Sequence, residues 1–466
     1  MKEKELKPII EPPSEEAIKK LLPWLVAVAF FMELLDTTIL NTAVPVLADA
    51  MKVPPLSMKA VLSSYTLSLA VFIPVSGWMA DRFGTRKIFA SAIGLFTLGS
   101  FLCGVSSNIH VMVACRILQG CGGAMMMPVG RLTLVRTFAK SELMKAMTFV
   151  AIPGLVGPML GPTIGGLIVE YFHWRWIFFV NIPIGILGLY LVLRLLPDYK
   201  ARQSRPLDFW GLVLFGTGIS LLSYVLEVFG EHQLSASNLW LLFITSLVLL
   251  GGYGMRAAHA LNPLLDLTIF RIRTFRTAVG GGFLTRVSMG GIPFLFPLLY
   301  QVGLGFTPMQ SGLLMMPQAF AAMSLKLLLP RILKHFGYRS VLVGNTFVLG
   351  IWSLCFATIT SHTSIILILI QSFGYGFLAS LQYTSMNTLV YADIPEGGSS
   401  QASTISSTMQ QMSMSFGVAS ASLLAAFFIP DRFNATSSEM IYGVHRAFFC
   451  MGLLTAVTTV AFFSLQ

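Results

Sequence analysis

The strongest constraint on this chain is a succession of long apolar runs, each closed off by charged or turn-forming residues. Fourteen are readable, at 21–46, 58–79, 88–106, 110–133, 146–170, 175–196, 208–229, 238–257, 276–300, 309–330, 339–360, 364–391, 400–428 and 444–465. About 20 apolar residues are enough for a helix to cross the hydrocarbon of a bilayer, and a spanning segment must satisfy its own backbone hydrogen bonds. Each run is therefore read as a transmembrane helix. The run at 400–428, rich in Ser, Met and Gln, is the most polar. Charged residues make up 11% of the chain, against roughly 25% in a soluble domain, and mean hydropathy is +0.76. This excludes a typical soluble enzyme, a disordered chain and a small disulfide scaffold. Residues 1–20 are charged and hold Pro12 and Pro13. The first apolar run lacks a small-residue cleavage site, so it is read as a span and not as a removed signal.

Charge placement tests the count. With the N-terminus in the cytoplasm, inner segments carry 23 of the 31 basic residues, as the positive-inside rule requires. They include Lys2, Lys4, Lys7, Arg82, Arg86, Lys87, Arg131, Arg136, Arg202, Arg205, Arg256, Arg273, Lys334 and Arg339. Outer segments carry five: Lys52, Lys59, Arg175, Arg432 and Arg446. Arg116, Arg286 and Lys326 fall inside spans. An even number of spans puts both termini in the cytoplasm. The net charge of +11 thus reads as topology, and no nucleic-acid partner is expected. The cysteines, Cys103, Cys115, Cys121, Cys355 and Cys450, lie in apolar stretches without ligand spacing, so neither a disulfide framework nor a metal site is expected. No Walker-type loop or nucleophile triad stands out.

The sequence also echoes itself. Phe83-Gly84-Thr85-Arg86 matches Phe336-Gly337-Tyr338-Arg339 at an offset of 253, and Leu118-Gln119 with Gly122 matches Ile370-Gln371 with Gly374 at 252. Two matches at nearly one offset suggest duplicated halves, spans 1–6 equating with 9–14 and spans 7 and 8 lying between. The loop after span 2 has the pattern Gly77, Asp81, Arg82, Gly84, Arg86, Lys87. Gly77 permits close helix approach, Gly84 a tight turn, and Asp81 contact with a helix N-terminus or a basic neighbour.

With these residues in view the chain resembles the major facilitator superfamily, and within it the fourteen-helix drug:proton antiporters. The resemblance is carried by Leu35 to Pro45 in span 1, Gly77 to Lys87, Arg116-Ile117-Leu118-Gln119-Gly120, Gly157 to Gly166 in span 5, and Trp174 to Pro183. It covers mainly the first 200 residues; the second half matches more loosely, through Pro263-Leu264-Leu265-Asp266 and the Phe-Gly-Tyr-Arg echo. It implies an all-α polytopic membrane protein. The expected parts are a cytoplasmic segment (1–20), a six-helix bundle (21–196), a linker with two inserted helices (197–257) and a second bundle (258–466). It implies a monomeric, multi-pass transporter of the bacterial inner membrane that exports small molecules, driven by a proton gradient and without a cofactor. Spans 1, 4, 9 and 12 are expected to line a central cavity, and spans 2, 5, 10 and 13 to form the moving interface.

Asp36 lies deep in span 1, where a charge costs about 2.5–3.5 kcal/mol on insertion scales. Glu33 is one turn earlier on the same face. Two carboxylates in a partly dry site suit proton binding; the alternatives are a structural pair for Asp36 and a wet position for Glu33. The resemblance assigns Asp36 and Arg116 to proton coupling; Glu33 rests on the residue reading alone. Arg116 stays charged and can tune a carboxylate, or can be a structural hydrogen-bond donor. Gly157, Gly161, Gly165 and Gly166 give span 5 a small face for close packing, with Pro158 and Pro162 allowing a bend, so this helix is expected to gate. Gln119 and Gln371 are expected at the cavity. Arg286 and Lys326 either pair with Asp36 or Glu33, or attract an anionic or zwitterionic substrate; Lys326 also has the option of snorkelling. Seven methionines, Met289 and Met409 among them, with Phe283, Phe294 and Phe373 are candidates for an adaptable lining, with ordinary packing the more economical reading. Three functions stand open: a proton-coupled exporter of amphipathic drugs or toxic compounds, an exporter of an anionic or zwitterionic metabolite such as a siderophore or lipid-like compound, and a non-transporting membrane sensor or partner.

Overall fold

A computed structural model describes residues 15–201, 206–229, 234–395, 398–429, 435–463 and 465. Lys2, Lys4, Lys7, Arg202, Arg205 and Arg432 lie outside these. Among the described residues there is helix and no strand. Ten helices there are long and apolar enough to cross a membrane by length and composition.

The helices, in chain order, are α1 (Glu15–Met51), α2 (Lys59–Phe83), α3 (Thr85–Val105), α4 (Ile109–Thr137), α5 (Lys140–Tyr171), α6 (Trp176–Leu195), α7 (Phe209–Val228) and α8 (Ala236–His259). Then comes α9 (Arg273–Gly303), which contains two π-helical turns, Arg276–Gly281 and Leu298–Gly303. Pro308–Leu354 is one helical trace interrupted at Gly337 (φ 74°, ψ 161°), so we treat it as α10 (308–336) and α11 (338–354). The chain closes with α12 (Ile365–Leu389), α13 (Ser399–Phe427) and α14 (Ser437–Phe462). The loop expected between the tenth and eleventh runs is thus a single residue in the left-handed region, as is the turn at Gly84 (φ 101°) between α2 and α3.

Short polar residues mark several helix starts by accepting from free backbone N–H groups. Asn108 accepts from Val111 N (3.0 Å), Asp208 from Gly211 N (2.9 Å), and Thr307 and Thr436 form capping boxes with Gln310 and Glu439.

In the first half, α1 packs on α5, α4 lies against α2 and α3, and α6 packs on α3. In the second, α9 packs on α13 and α14, and α10 and α11 on α12. The halves meet through α5 against α10 and α2 against α13. The pair α7–α8 packs on itself and touches the rest mainly through α7. α8 leaves Trp240, Leu241 and Val248 exposed, a continuous apolar surface that suits lipid.

One end of the molecule is closed by contacts between halves. Ser422 Oγ donates to Leu56 O (2.9 Å) and Ser415 Oγ to Ser63 O (3.2 Å). Met309 N donates to Glu170 Oε2 (2.8 Å), and Gln301 Nε2 to Thr42 O (2.8 Å). Toward the opposite end the halves part around a cavity of about 380 Å³.

Candidate functional site

Asp36 sits on the inward face of α1 at 1% exposure, as does Arg116 on α4. Arg116 Nη1 donates to Asp36 Oδ2 at 2.5 Å. One turn on, at the i+3 position that shares its face, Gln119 accepts from Arg116 Nη1 (2.9 Å) and donates to Asp36 Oδ1 (2.9 Å). Asn181 at the start of α6's main segment donates from Nδ2 to Asp36 Oδ1 and lies within bonding distance of Ser100 Oγ, both at 3.2 Å. Arg116 Nε donates to Val61 O (3.3 Å), and the guanidinium lies 4.2 Å from the Tyr65 ring centroid, a favourable cation–π position. Residues from α1, α2, α3, α4 and α6 thus meet around one buried ion pair. Removing one partner of such a pair costs about 3–5 kcal/mol, because the other charge is left uncompensated.

Glu33, one turn before Asp36, is also buried, but its Oε2 has no hydrogen-bond partner among the described residues. It lines the cavity between the halves, with Arg131 of α4, Asn387 of α12 and Ser403, Ser406 and Gln410 of α13. Asp36 is sealed while Glu33 faces the space.

Arg286 is fully buried on α9. Its Nη2 donates to Asn387 Oδ1 (2.7 Å), while Nε and Nη1 have no hydrogen-bond partner among the described residues. It pairs with neither Asp36 nor Glu33. It stands one residue behind the cavity wall, reached through Asn387.

Several of the candidate residues lie away from this cavity. Gln119 belongs to the Asp36–Arg116 network and does not line the cavity, because its i+3 spacing from Arg116 turns it inward. Gln371 lies between α12 and α11, its carbonyl accepting from Trp352 Nε1 (2.9 Å). Lys326 is on an exposed face of α10 and does not line the cavity. Gly77 is exposed with no neighbour where a Cβ would stand, because the halves diverge there. The cavity is lined by α1, α2, α4, α13 and the end of α12, so α9 does not line it, Arg286 reaching it only through Asn387 of α12, and none of the candidate methionines takes part.

The loop residues meet partners. Asp81 forms an ion pair with Arg136 at 2.5 Å. A Cβ on Gly84 would strike the Asp198 carboxylate, which accepts from Arg86 N at 3.2 Å. Arg82 lies 5.8 Å from the Trp78 ring centroid. On α5, Gly157, Gly161 and Gly165 press on α1, while Gly166 meets Pro308 and Pro162 meets Gly312 of α10. Thr42 Oγ1 donates to Pro162 O (2.9 Å). The small face is two faces, one for each half.

Residue types alone did not single out Asn181, Ser100, Tyr65 or Asn387. The signal for the α13 polar residues was the low hydropathy of that run: Ser403, Ser406, Ser407, Gln410 and Gln411 face the cavity.

The sequence matches the Major Facilitator Superfamily over residues 26–418. It is 40% identical over 439 residues to the "Putative multidrug resistance protein MdtD" of Serratia proteamaculans, covering 94% of this chain and 92% of that one. The protein of the same name from Citrobacter koseri is 40% identical over 94% of this chain and 93% of its own. Solved structures agree in fold. A POT family transporter in complex with a thioalcohol-conjugated peptide superposes with a TM-score of 0.70 at 13% identity, over 94% of each chain. A bacterial homologue of the human lysosomal transporter Spinster, inward-facing and unoccupied, gives 0.68 at 12% identity over 96% of each.

Proposed function

The chain belongs to the Major Facilitator Superfamily, and from that premise we propose that it is a proton-driven exporter of amphipathic small molecules, working by alternating access in the bacterial inner membrane. It is a transporter and not an enzyme. The proposed topology has fourteen spans, α1 to α14, with both termini cytoplasmic. Its parts are the bundles 21–196 and 258–466 and an inserted pair within 197–257. The working unit is a monomer that needs no cofactor beyond the proton gradient. The basic residues Arg82, Arg131, Arg136 and Lys334 gather at the open end, which supports making that end the cytoplasmic one.

The observation that carries the coupling is the buried Glu33, with its unpartnered Oε2, facing the cavity one turn from the sealed Asp36–Arg116 pair. Glu33 shares the cavity with the cation Arg131, and a cavity carboxylate exchanges its proton as the charges facing it change. A substrate that brings a cation or hydrogen-bond donor to Glu33 favours the ionised form, so proton and substrate compete for one group. The paired Asp36 and Arg116 hold α1 against α4 during that exchange. Gating falls to α5, which keeps to α1 through Gly157, Gly161 and Gly165 while Pro162 and Gly166 meet and leave α10.

A second reading is an exporter of a polar or anionic metabolite. It is favoured by the hydroxyl and amide lining from Ser403, Ser406, Gln410 and Asn387, and by the buried Arg286 behind it.

Flux in proteoliposomes under an imposed pH gradient tests the coupling. Uptake against the substrate gradient should cease when a protonophore collapses the pH difference. In Glu33→Gln, substrate should still move downhill, but the gradient should no longer drive accumulation. Wild-type flux that ignores the protonophore would sink the reading. Full accumulation by Glu33→Gln would move the proton site away from Glu33.

A further inference from the structure

The two halves finish their first cytoplasmic turn differently, and the difference exposes a site. In the first half the turn at Gly84 is filled by the chain's own carboxylate. Asp198 accepts from Arg86 N (3.2 Å), while Thr85 N donates to Tyr199 O (3.0 Å) and Tyr199 N to Thr85 Oγ1 (3.1 Å). Beside it, Asp81 neutralises Arg136.

At the repeat offset of 253, Gly337 makes the same left-handed turn, and Lys334 stands where Asp81 stood. A Cβ built on Gly337 meets nothing within 4 Å. Instead there is a groove of about 500 Å³ among the ends of α9, α10, α11 and α12. Arg273 and Arg339 line it against one carboxylate, Asp393. Among the described residues neither arginine is ion-paired. The apolar side of the groove is Phe336, Leu389 and Leu465.

We propose that this groove binds the phosphate of an anionic lipid headgroup from the cytoplasmic leaflet. Arg273 and Arg339 act as the phosphate ligands, and Phe336, Leu389 and Leu465 lie toward the acyl chains. Guanidinium groups match a phosphate by paired N–H donors. Basic pockets between helices on the cytoplasmic side suit anionic headgroups. The apolar wall favours a lipid over a free ion, and the first half shows which charge this turn accepts, because there the chain supplies an anion itself. The proposal rests on the orientation argued above, but not on the coupling at Glu33.

The test uses the purified full-length protein in detergent. Phosphatidylglycerol is titrated while thermal unfolding is followed, and retained lipid is counted by native mass spectrometry as a second readout. Phosphatidylglycerol should raise the unfolding temperature saturably, and phosphatidylcholine should not. The double variant Arg273→Gln/Arg339→Gln should bind phosphatidylglycerol roughly tenfold more weakly, while Lys145→Gln, which removes a basic residue elsewhere, should match wild type. Equal lipid retention by the double variant and wild type overturns the site. Equal stabilisation by phosphatidylcholine overturns the charge selectivity. Stabilisation by inorganic phosphate at the same concentration, matching the lipid's, overturns the lipid as source. The measurement needs no transport, so its failure leaves the coupling reading untouched.

Discussion

Among the described residues each half of the molecule buries one arginine, and the two are finished to different degrees. Arg116 has a carboxylate, an amide, a carbonyl and an aromatic face around it. Arg286 is just as buried but has one amide oxygen, and two of its nitrogens have no hydrogen-bond partner among the described residues. A buried charge is expensive unless paired, so the first is a completed structural element and the second an incomplete one. The helices around them follow suit. α9 carries π-helical turns on both sides of Arg286, a distortion that often accompanies functional sites. The first half spends its charge on holding helices together; the second keeps a charge in reserve beside the cavity.

The largest expected effect breaks the completed arginine. Arg116→Leu should destabilise the protein by about 3–5 kcal/mol, because Asp36 is left buried and unpaired. Asp36→Asn should cost a comparable amount for the reverse reason. The double variant Asp36→Leu/Arg116→Leu should lose less than either single one, since no lone charge remains. Thermal unfolding of the three variants in detergent checks this; singles that fall within about 1 kcal/mol of wild type would mean that the pair is not the tie it looks to be.

The same substitution in the other half sharpens the contrast. Arg286→Met strands no carboxylate, so stability should stay within about 1 kcal/mol of wild type or rise. What should change is recognition. If the carried molecule is anionic, its affinity should fall by roughly 2–5 kcal/mol, the scale for losing a buried charged partner, and a cation's affinity should not. Equal changes for both would leave the amphipathic reading in place and the polar one without support. A loss of stability as large as that of Arg116→Leu would erase the distinction between the two arginines.

The all-helical, many-span character was legible in the sequence because the bilayer demands long apolar runs with self-satisfied backbones, and Asn108, Asp208 and Thr307 mark helix starts locally. The pairing of Asp36 with Arg116 was legible only in part: Arg116 was a candidate partner for a span-1 carboxylate, but Glu33 was as eligible by position as Asp36. What a lone sequence hides is direction. Gln119 looks like a cavity residue until its i+3 spacing from Arg116 turns it inward. Gln371 and Lys326 carry no pattern that says which side of their helices meets another helix. Gly77 suggested contact, but helix approach depends on whether the halves are together at that end, and here they part. Asn181 lay inside a recognised stretch, yet its role needed α6 to be brought against α1.

The smallest effect belongs to the ion pair at the surface. Asp81 and Arg136 are 40% and 27% exposed, and pairs in that setting contribute about 0–1 kcal/mol. Asp81→Asn should therefore leave thermal stability nearly unchanged, with any difference shrinking as salt is raised. The pair nevertheless ties the end of α2 to α4, and Asp81 O also accepts from Ala201 N (3.1 Å) in the linker after α6. These are the ends that must travel together if the first half moves as one body. Turnover should fall in Asp81→Asn while substrate affinity holds. Its mirror in the second half, Lys334→Asp, should leave turnover near wild type, because Lys334 has no ion pair among the described residues to lose. A turnover loss of the same size at both positions would mean that the two turns are mechanically alike, despite one being locked by carboxylates and the other open.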